Sequence, residues 1–374
     1  RLLPPRHRLA GAVGTAVCRA MILNRQEAFS GTTVPDIGAA PLDAYLAQHL
    51  EGFAGPLSLT RFKGGQSNPT YRLDTPGMSY VLRRKPFGAL LPSAHAIERE
   101  FKVTAALARA GFPVARPLHL CTDSTVIGAV FFVMEHVQGR VFWEPHAPGL
   151  PGHDRAALFI SLNDTLAQLH RLDPASVGLG DFGKPEGYVA RQIRRWSEQY
   201  RASETERIAE MDRLMAWLPD ACPPDSGACI VHGDFRLDNC IIHSSEPRVM
   251  AVLDWELSTI GGPLADFTYH LMQWYMPISE NGAGVGSLLG HPGEAGLPRI
   301  EDYVARYCQN TGRDGIPNLD VYLAYNFFRL AAILQGILGR VRAGTAANAG
   351  AEAMARQVRP LAETAWRFAR EAGA

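Results

Sequence analysis

Val231-His232-Gly233-Asp234-Phe235-Arg236-Leu237-Asp238-Asn239 is the stretch that decides how this 374-residue chain folds. It follows a short apolar run and leads into Cys240-Ile241-Ile242-His243, so it reads as a loop between strands. His232-Gly233 comes just before Asp234, and four residues then separate Asp234 from Asn239. A second apolar run, Val249-Met250-Ala251-Val252-Leu253, ends in Asp254-Trp255-Glu256. With Ser244-Ser245-Glu246-Pro247 between them, the two runs predict a hairpin. Such a hairpin brings Asn239 and Asp254 together at one end, with Asp234 close by.

A carboxylate, then a carboxamide and a second carboxylate on neighbouring strand ends, suits phosphoryl transfer. One Asp accepts the proton of the attacking hydroxyl, while Asn and Asp oxygens hold the Mg²⁺ that bridges the nucleotide phosphates. Taken singly, Asp and Asn before strands cap turns. The complete spacing, with Asp254 closing a second strand, is what separates chemistry from turn-making. A metal-dependent hydrolase built on His232 and Asp234 lacks further ligands.

On these residues the chain resembles the aminoglycoside phosphotransferase and choline kinase family, which shares the protein-kinase fold. The match runs over nearly the whole chain after about residue 40. The resemblance implies Asp234 as catalytic base and Asn239 and Asp254 as metal ligands. His232 supports the loop, and Asp266, in the segment 261–266 (Gly-Gly-Pro-Leu-Ala-Asp), braces it. It also implies an α+β, two-lobed protein-kinase-like fold. Residues 41–135 would form a small antiparallel-sheet N-lobe that binds ATP, and 136–374 a larger, mainly helical C-lobe. Residues 1–40 are expected to be a disordered extension; their arginine-rich, acid-free start precedes Met21, a candidate true start.

Several N-lobe stretches carry the nucleotide expectations. Leu57 to Phe62 and Thr70 to Asp74 read as strands flanking Lys63-Gly64-Gly65-Gln66-Ser67-Asn68. Such a turn can lay backbone N–H groups over phosphates; in the family it is the nucleotide-covering loop, which assigns Gly64, Gly65, Gln66, Ser67 and Asn68 to it. Tyr80-Val81-Leu82-Arg83 is the next strand, with Val81 and Arg83 on one face. The family expects a Lys under the nucleotide at the position of Arg83. Arginine also grips phosphate, and bidentately, so Arg83 is the first choice and Lys85 the second. A helix over Ala94 to Ala110 carries Glu100, by resemblance the ion-pair partner of that cation. Val130 to Val137 resembles the hinge that meets adenine, to which Glu135 and Val137 would lend main-chain atoms.

The second lobe reads as helices: Arg155 to Leu172, Tyr188 to Tyr200, Phe267 to Met276, Ile300 to Cys308, Leu319 to Arg342 and Ala346 to Glu371. His170 is expected as a core or capping histidine. Arg191, Arg194 and Arg195 share one helical face, either as a solvated surface facing Glu198 or as a landing site for an anionic substrate. The wording of residues 80–86, 91–95 and 188–196 looks closest to the branch containing the kinase-like domain fused to acyl-CoA dehydrogenases in animals. That likeness implies a hydroxyacyl-CoA as acceptor. An aminoglycoside, choline or sugar kinase, or a regulatory nucleotide-binding pseudokinase, is the alternative.

Composition bounds the rest. Thirty-seven basic residues balance thirty-seven acidic ones, so nothing marks a nucleic-acid binder. The six cysteines form no C-x-x-C pair, in keeping with reduced thiols in a cytosolic protein. No apolar run of about 18 residues is evident, and no membrane span is expected.

Overall fold

The structure is a computed structural model that describes residues 37–62, 68–87, 96–278, 286–291, 293–342 and 356–374. Residues 1–36 of the expected extension, Gly64 to Ser67 and the start of the last expected helix lie outside the described residues, whereas Ile37 is buried and Ala39 and Ala40 open a helix where disorder was expected. The chain divides into two units. One runs to Lys102 and resumes over Ala115–His136; the other comprises Val103–Val114 and Val137–Ala374.

Alternation builds the first unit. Strands β1 (Ser58–Arg61), β2 (Thr70–Asp74), β3 (Ser79–Arg84), β4 (Pro117–Cys121) and β5 (Phe131–Glu135) pair antiparallel in the order β1-β2-β3-β5-β4. Along β2 and β3, buried and half-buried residues alternate as a period of two requires. Tyr71, Leu73, Tyr80 and Leu82 join Phe131 and Val133 in one apolar core, closed by Leu42 and Leu46 of helix α1 (Ala39–His49). Strand β4 has no counterpart in the sequence reading, because Pro117 and His119 spoil its apolar pattern; a bulge between them lets the strand pair. Helix α2 (Ile97–Arg109) carries Glu98 and Glu100 in its first turn, where acidic side chains complement the helix dipole.

The second unit holds helices α3 (Gly152–Arg171), α4 (Tyr188–Ser203), α5 (Ala209–Ala221), α6 (Pro263–Leu271), α7 (Ile300–Thr311), α8 (Leu319–Arg342) and α9 (Val358–Glu371). Among them lie two short antiparallel pairs, β6 (Cys229–Val231) with β9 (Thr259–Gly261) and β7 (Cys240–Ile242) with β8 (Val249–Val252). Helix α8 is buried along most of its length and packs on α9, α4 and α6. By length and composition α8 could cross a membrane, yet 89% of its apolar window is buried inside the protein, as in a core helix. Asn326 and Arg329 interrupt its lettering, so it holds no unbroken apolar run of about 18 residues. Helix α6 starts earlier than expected because Pro263 stands in its first turn, and its end tightens into a 3₁₀ turn over Met272–Trp274.

Two outside strands of contact fix the hairpin β7–β8. Val252 N–H donates to the Pro113 carbonyl at 2.9 Å, and Arg140 exchanges both backbone hydrogen bonds with Ile242. At its open end, Leu253 N–H donates to the Asn239 carbonyl at 2.8 Å, so Asp254 follows immediately beside Asn239.

Candidate active site

The loop after β6 has its backbone determined by the side chain of Asp266. One carboxylate oxygen accepts from His232 N–H at 2.7 Å and the other from Gly233 N–H at 2.8 Å. Gly233 has φ of +84°, and a Cβ there would stand 2.9 Å from the Leu257 carbonyl oxygen, so only glycine fits the turn. The Gly233 carbonyl accepts from Arg329 at 2.7 Å. His170 Nε2 lies 3.2 Å from Asp266 Oδ2, and its Nδ1 lies 2.7 Å from the Tyr307 hydroxyl. Burial pushes the Asp266 carboxyl up, but the His170 contact and the His232 amide outweigh it and hold Asp266 below the usual carboxylate range. The brace is thus a charged group, buried but fully partnered.

His232 is buried and uses both ring nitrogens. Nε2–H donates to the Leu253 carbonyl at 2.8 Å, and Nδ1 accepts from Asp234 N–H at 3.1 Å. That consumes the lone pair a metal would need, which removes the hydrolase alternative and leaves His232 tying β6 to the end of β8.

Asp234 emerges from this frame with its carboxylate about one fifth exposed (21%). Oδ1 accepts from the Tyr269 hydroxyl at 2.5 Å and lies 3.2 Å from Arg236 Nε. Oδ2 accepts from Asn239 Nδ2 at 3.1 Å, and the same amide nitrogen donates to the Asp234 carbonyl at 2.9 Å. Burial, reinforced by the neighbouring Asp234 carboxylate, pushes the Tyr269 hydroxyl far above its ordinary value, so it stays a proton donor. Burial lowers Arg236, but Asp234 and Asp238 more than compensate and keep it charged. Because the Asn239 nitrogen is committed to Asp234, its amide oxygen is the atom it can offer a cation. Asp254 sits in the left-handed region, φ 64° and ψ 61°, at the mouth of the hairpin. An amide oxygen and a carboxylate form an all-oxygen set, the kind Mg²⁺ prefers.

In the first unit, Arg83 Nε stands 2.9 Å from Glu100 Oε2, with both side chains largely buried. Arg84 points to the other face, where its Nε donates to the Tyr71 hydroxyl at 3.1 Å and its guanidinium lies 3.7 Å from the centre of the Phe87 ring. Lys85 lies past the strand end and pairs with Glu98 at 2.6 Å, not with Glu100. Asn68 is buried and its carbonyl accepts from the Thr70 hydroxyl; Gly64, Gly65, Gln66 and Ser67 are outside the described residues. Glu135 spends its N–H on the Arg116 carbonyl at 3.0 Å and its carboxylate on Arg116 Nε at 2.7 Å, leaving its carbonyl as the main-chain group it can lend. Val137 is the first residue of the second unit's longer segment.

On α4, Arg191 donates to the Lys184 carbonyl, and Arg195 lies 5.1 Å from the centre of the Trp196 ring. Among the described residues none of Arg191, Arg194 and Arg195 pairs with Glu198. Arg329 lies 5.9 Å from the centre of the Trp196 ring and 4.9 Å from that of the Tyr269 ring. A continuous line of contacts therefore joins the arginine face of α4 to Asp234. Sequence reasoning passed over Tyr269 and Arg329. Tyr269 lies three residues after Asp266 on one helical face, and Arg329 is a lone charge inside an apolar helix; either signal points inward.

A family model described as "Phosphotransferase enzyme family" matches residues 58–312. Mouse (Mus musculus) acyl-CoA dehydrogenase family member 11 is 46% identical over 329 residues, covering 86% of this chain and 42% of the relative. This chain thus spans less than half the length of that relative. A crystal structure of a candidate aminoglycoside phosphotransferase from Ralstonia eutropha shares 47% identity and a TM-score of 0.80, covering 90% of this chain and 99% of that one. A spectinomycin phosphotransferase solved with ADP and spectinomycin aligns with a TM-score of 0.58 at 14% identity over 89% of this chain and 99% of that one, a likeness of fold. The architecture is the two-lobed kinase-like α+β fold of these neighbours.

Proposed function

Because the chain belongs to the phosphotransferase enzyme family, we propose that it moves the γ-phosphoryl group of ATP to a hydroxyl of a small molecule, a hydroxyacyl-CoA. One observation supports the phosphotransfer most: Asp234, Asn239 and Asp254 stand around one hairpin end, on a loop that Asp266 and His170 over-determine. Asp234 takes the proton of the attacking hydroxyl, and Tyr269 and Asn239 orient its two oxygens. Asn239 and Asp254 would hold Mg²⁺, which supplies charge neutralisation at the phosphates when bound. Arg83, steadied by Glu100, is the cation for the nucleotide phosphates.

The acceptor class rests on two supports. One relative carries the name acyl-CoA dehydrogenase in a chain more than twice the matched length. Arg191, Arg194 and Arg195 on α4 pair with no acidic side chain among the described residues and lead through Trp196 and Arg329 toward Asp234. Coenzyme A brings phosphates that such arginines can grip.

The test is a coupled assay of ADP release by purified protein with 3- and 4-hydroxyacyl-CoAs, aminoglycosides, choline and sugars. ATP-dependent phosphorylation of a hydroxyacyl-CoA is expected. Far better turnover of aminoglycosides or choline would overturn the acceptor and leave phosphotransfer standing. ATP binding without turnover of any acceptor would favour a regulatory pseudokinase.

A further inference from the structure

We propose that Glu144, His146 and His291 form a second cation site, for Zn²⁺ or a similar divalent transition-metal ion, built from residues that take no part in the loop around Asp234. One ligand atom from each of the three lies within 4.8 Å of the others. Ligands of a single tetrahedral Zn²⁺ stand roughly 3.4 Å apart, given bonds of about 2.1 Å, so the side chains must turn inward to close on an ion. Two imidazoles and a carboxylate are a common three-ligand zinc set that leaves a fourth position to water, and nitrogen donors favour transition metals over Mg²⁺.

An independent observation points to the same ion. His146 is only 6% exposed, yet its Nδ1 makes no hydrogen bond; its nearest acidic atom is Glu144 Oε2 at 3.6 Å. A buried polar atom left unsatisfied is destabilising, and a metal bond would remove that cost. The His146 and His291 rings stack with centroids 3.5 Å apart and planes 19° from parallel, so their in-plane lone pairs run side by side and the rings must turn to share an ion.

The surroundings hold this arrangement. Glu294 lies 3.4 Å from His291 Nδ1, as carboxylates stand behind zinc-bound imidazoles. Glu294 also pairs with Arg155 at 2.8 Å, so that guanidinium is charge-compensated. Arg155 donates to the carbonyls of His146 and Leu150 on one segment and of Ala295 on the other. Gly296, with φ of +85°, lets its backbone approach Gly152 where a Cβ would collide with the carbonyl. A bound ion would therefore fasten residues 144–146 to residues 291–294.

The experiment uses the full chain without a histidine tag. Metal content is measured after purification without chelator, and chelator-stripped protein is then titrated with ZnCl₂ against a chromogenic zinc indicator. One Zn²⁺ per chain is expected, with a melting temperature raised by roughly 3 °C at a hundredfold excess over Kd. Co²⁺ in its place should give the intense visible bands of a four-coordinate site. His291→Ala and Glu144→Gln, both at partly exposed positions, should each weaken binding at least tenfold, while His243→Ala should bind as the parent does. Absence of zinc uptake by the stripped parent at about 100 μM, a Zn²⁺ affinity far below any specific site, overturns the proposal. Unchanged stoichiometry and affinity in a folded His291→Ala, Glu144→Gln double variant overturns it equally.

Discussion

Asp234 is oriented by three neighbours that each do something different. Tyr269 and Asn239 donate to its two oxygens, and Arg236 stands beside Oδ1 as a permanent charge. Asp234→Asn keeps the shape and removes the proton acceptor, so turnover should fall by about 10² to 10⁴ with nucleotide affinity intact. Rapid-quench turnover and ATP titration on the same folded preparation check this, and near-parental turnover would take Asp234 out of the mechanism. Arg83 and Lys85 pose the corresponding question for phosphate. Arg83 holds the buried Glu100, whereas Lys85 holds the partly exposed Glu98. Arg83→Ala should therefore raise the KM for ATP by roughly tenfold or more, the scale of a lost charged hydrogen bond, and Lys85→Ala should change it much less. The opposite ranking would assign the phosphates to Lys85.

Helix α6 carries more of the site than any other element, because Asp266, Tyr269 and His270 lie on it at i, i+3 and i+4. His270 Nε2 meets the Tyr303 hydroxyl at 2.8 Å, and burial pushes its pKa down from 6.5 to about 4. The folded state therefore keeps His270 neutral where the unfolded chain protonates it. Its contribution is fully present above pH about 6.5 and is lost progressively toward pH about 4, a span worth about 3 kcal/mol. Urea unfolding from pH 7 to pH 4.5 should show falling stability, and His270→Gln should flatten that slope; an unaltered slope would clear His270. Asp266, held below the usual range, loses its share only at lower pH. Sequence made some of this architecture legible and hid the rest. The hairpin could be read because Ile241, Ile242, Val249 and Val252 are β-branched and bounded by turn residues. Strand β4 and helix α5 could not, since Pro117 and Pro219 contradict local propensity and tertiary packing overrides it. The spacing from Asp234 to Asp254 was visible. Tyr269, which aims Asp234, and Arg329, which holds the Gly233 carbonyl before it, were not, because they lie 35 and 95 positions beyond Asp234 in the sequence.

The charge of the whole chain bears on which acceptor it can take. Thirty-seven basic and thirty-seven acidic residues cancel, so no global field draws in a polycation such as an aminoglycoside. Local charge is what remains, and α4 concentrates it in Arg191, Arg194 and Arg195. These are exposed or partly exposed, and the Trp196 ring that Arg195 covers leads through Arg329 to the Tyr269 that holds Asp234. An acceptor with phosphates at one end and a hydroxyl at the other matches that distribution better than a cationic one. If coenzyme A phosphates rest on this face, KM for the hydroxyacyl-CoA should rise several-fold between about 50 and 300 mM salt, as the Debye length shrinks. Arg195→Ala should raise that KM and blunt its salt dependence while leaving KM for ATP alone, and Arg195→Lys should restore part of both by returning the charge. Arg191→Ala should act in the same direction, with a loss of kcat as well, because Arg191 also secures the Lys184 carbonyl ahead of the helix. A salt-independent KM, unmoved by both alanine substitutions, would detach the arginine face from the acceptor and leave the chemistry at Asp234 as it stands.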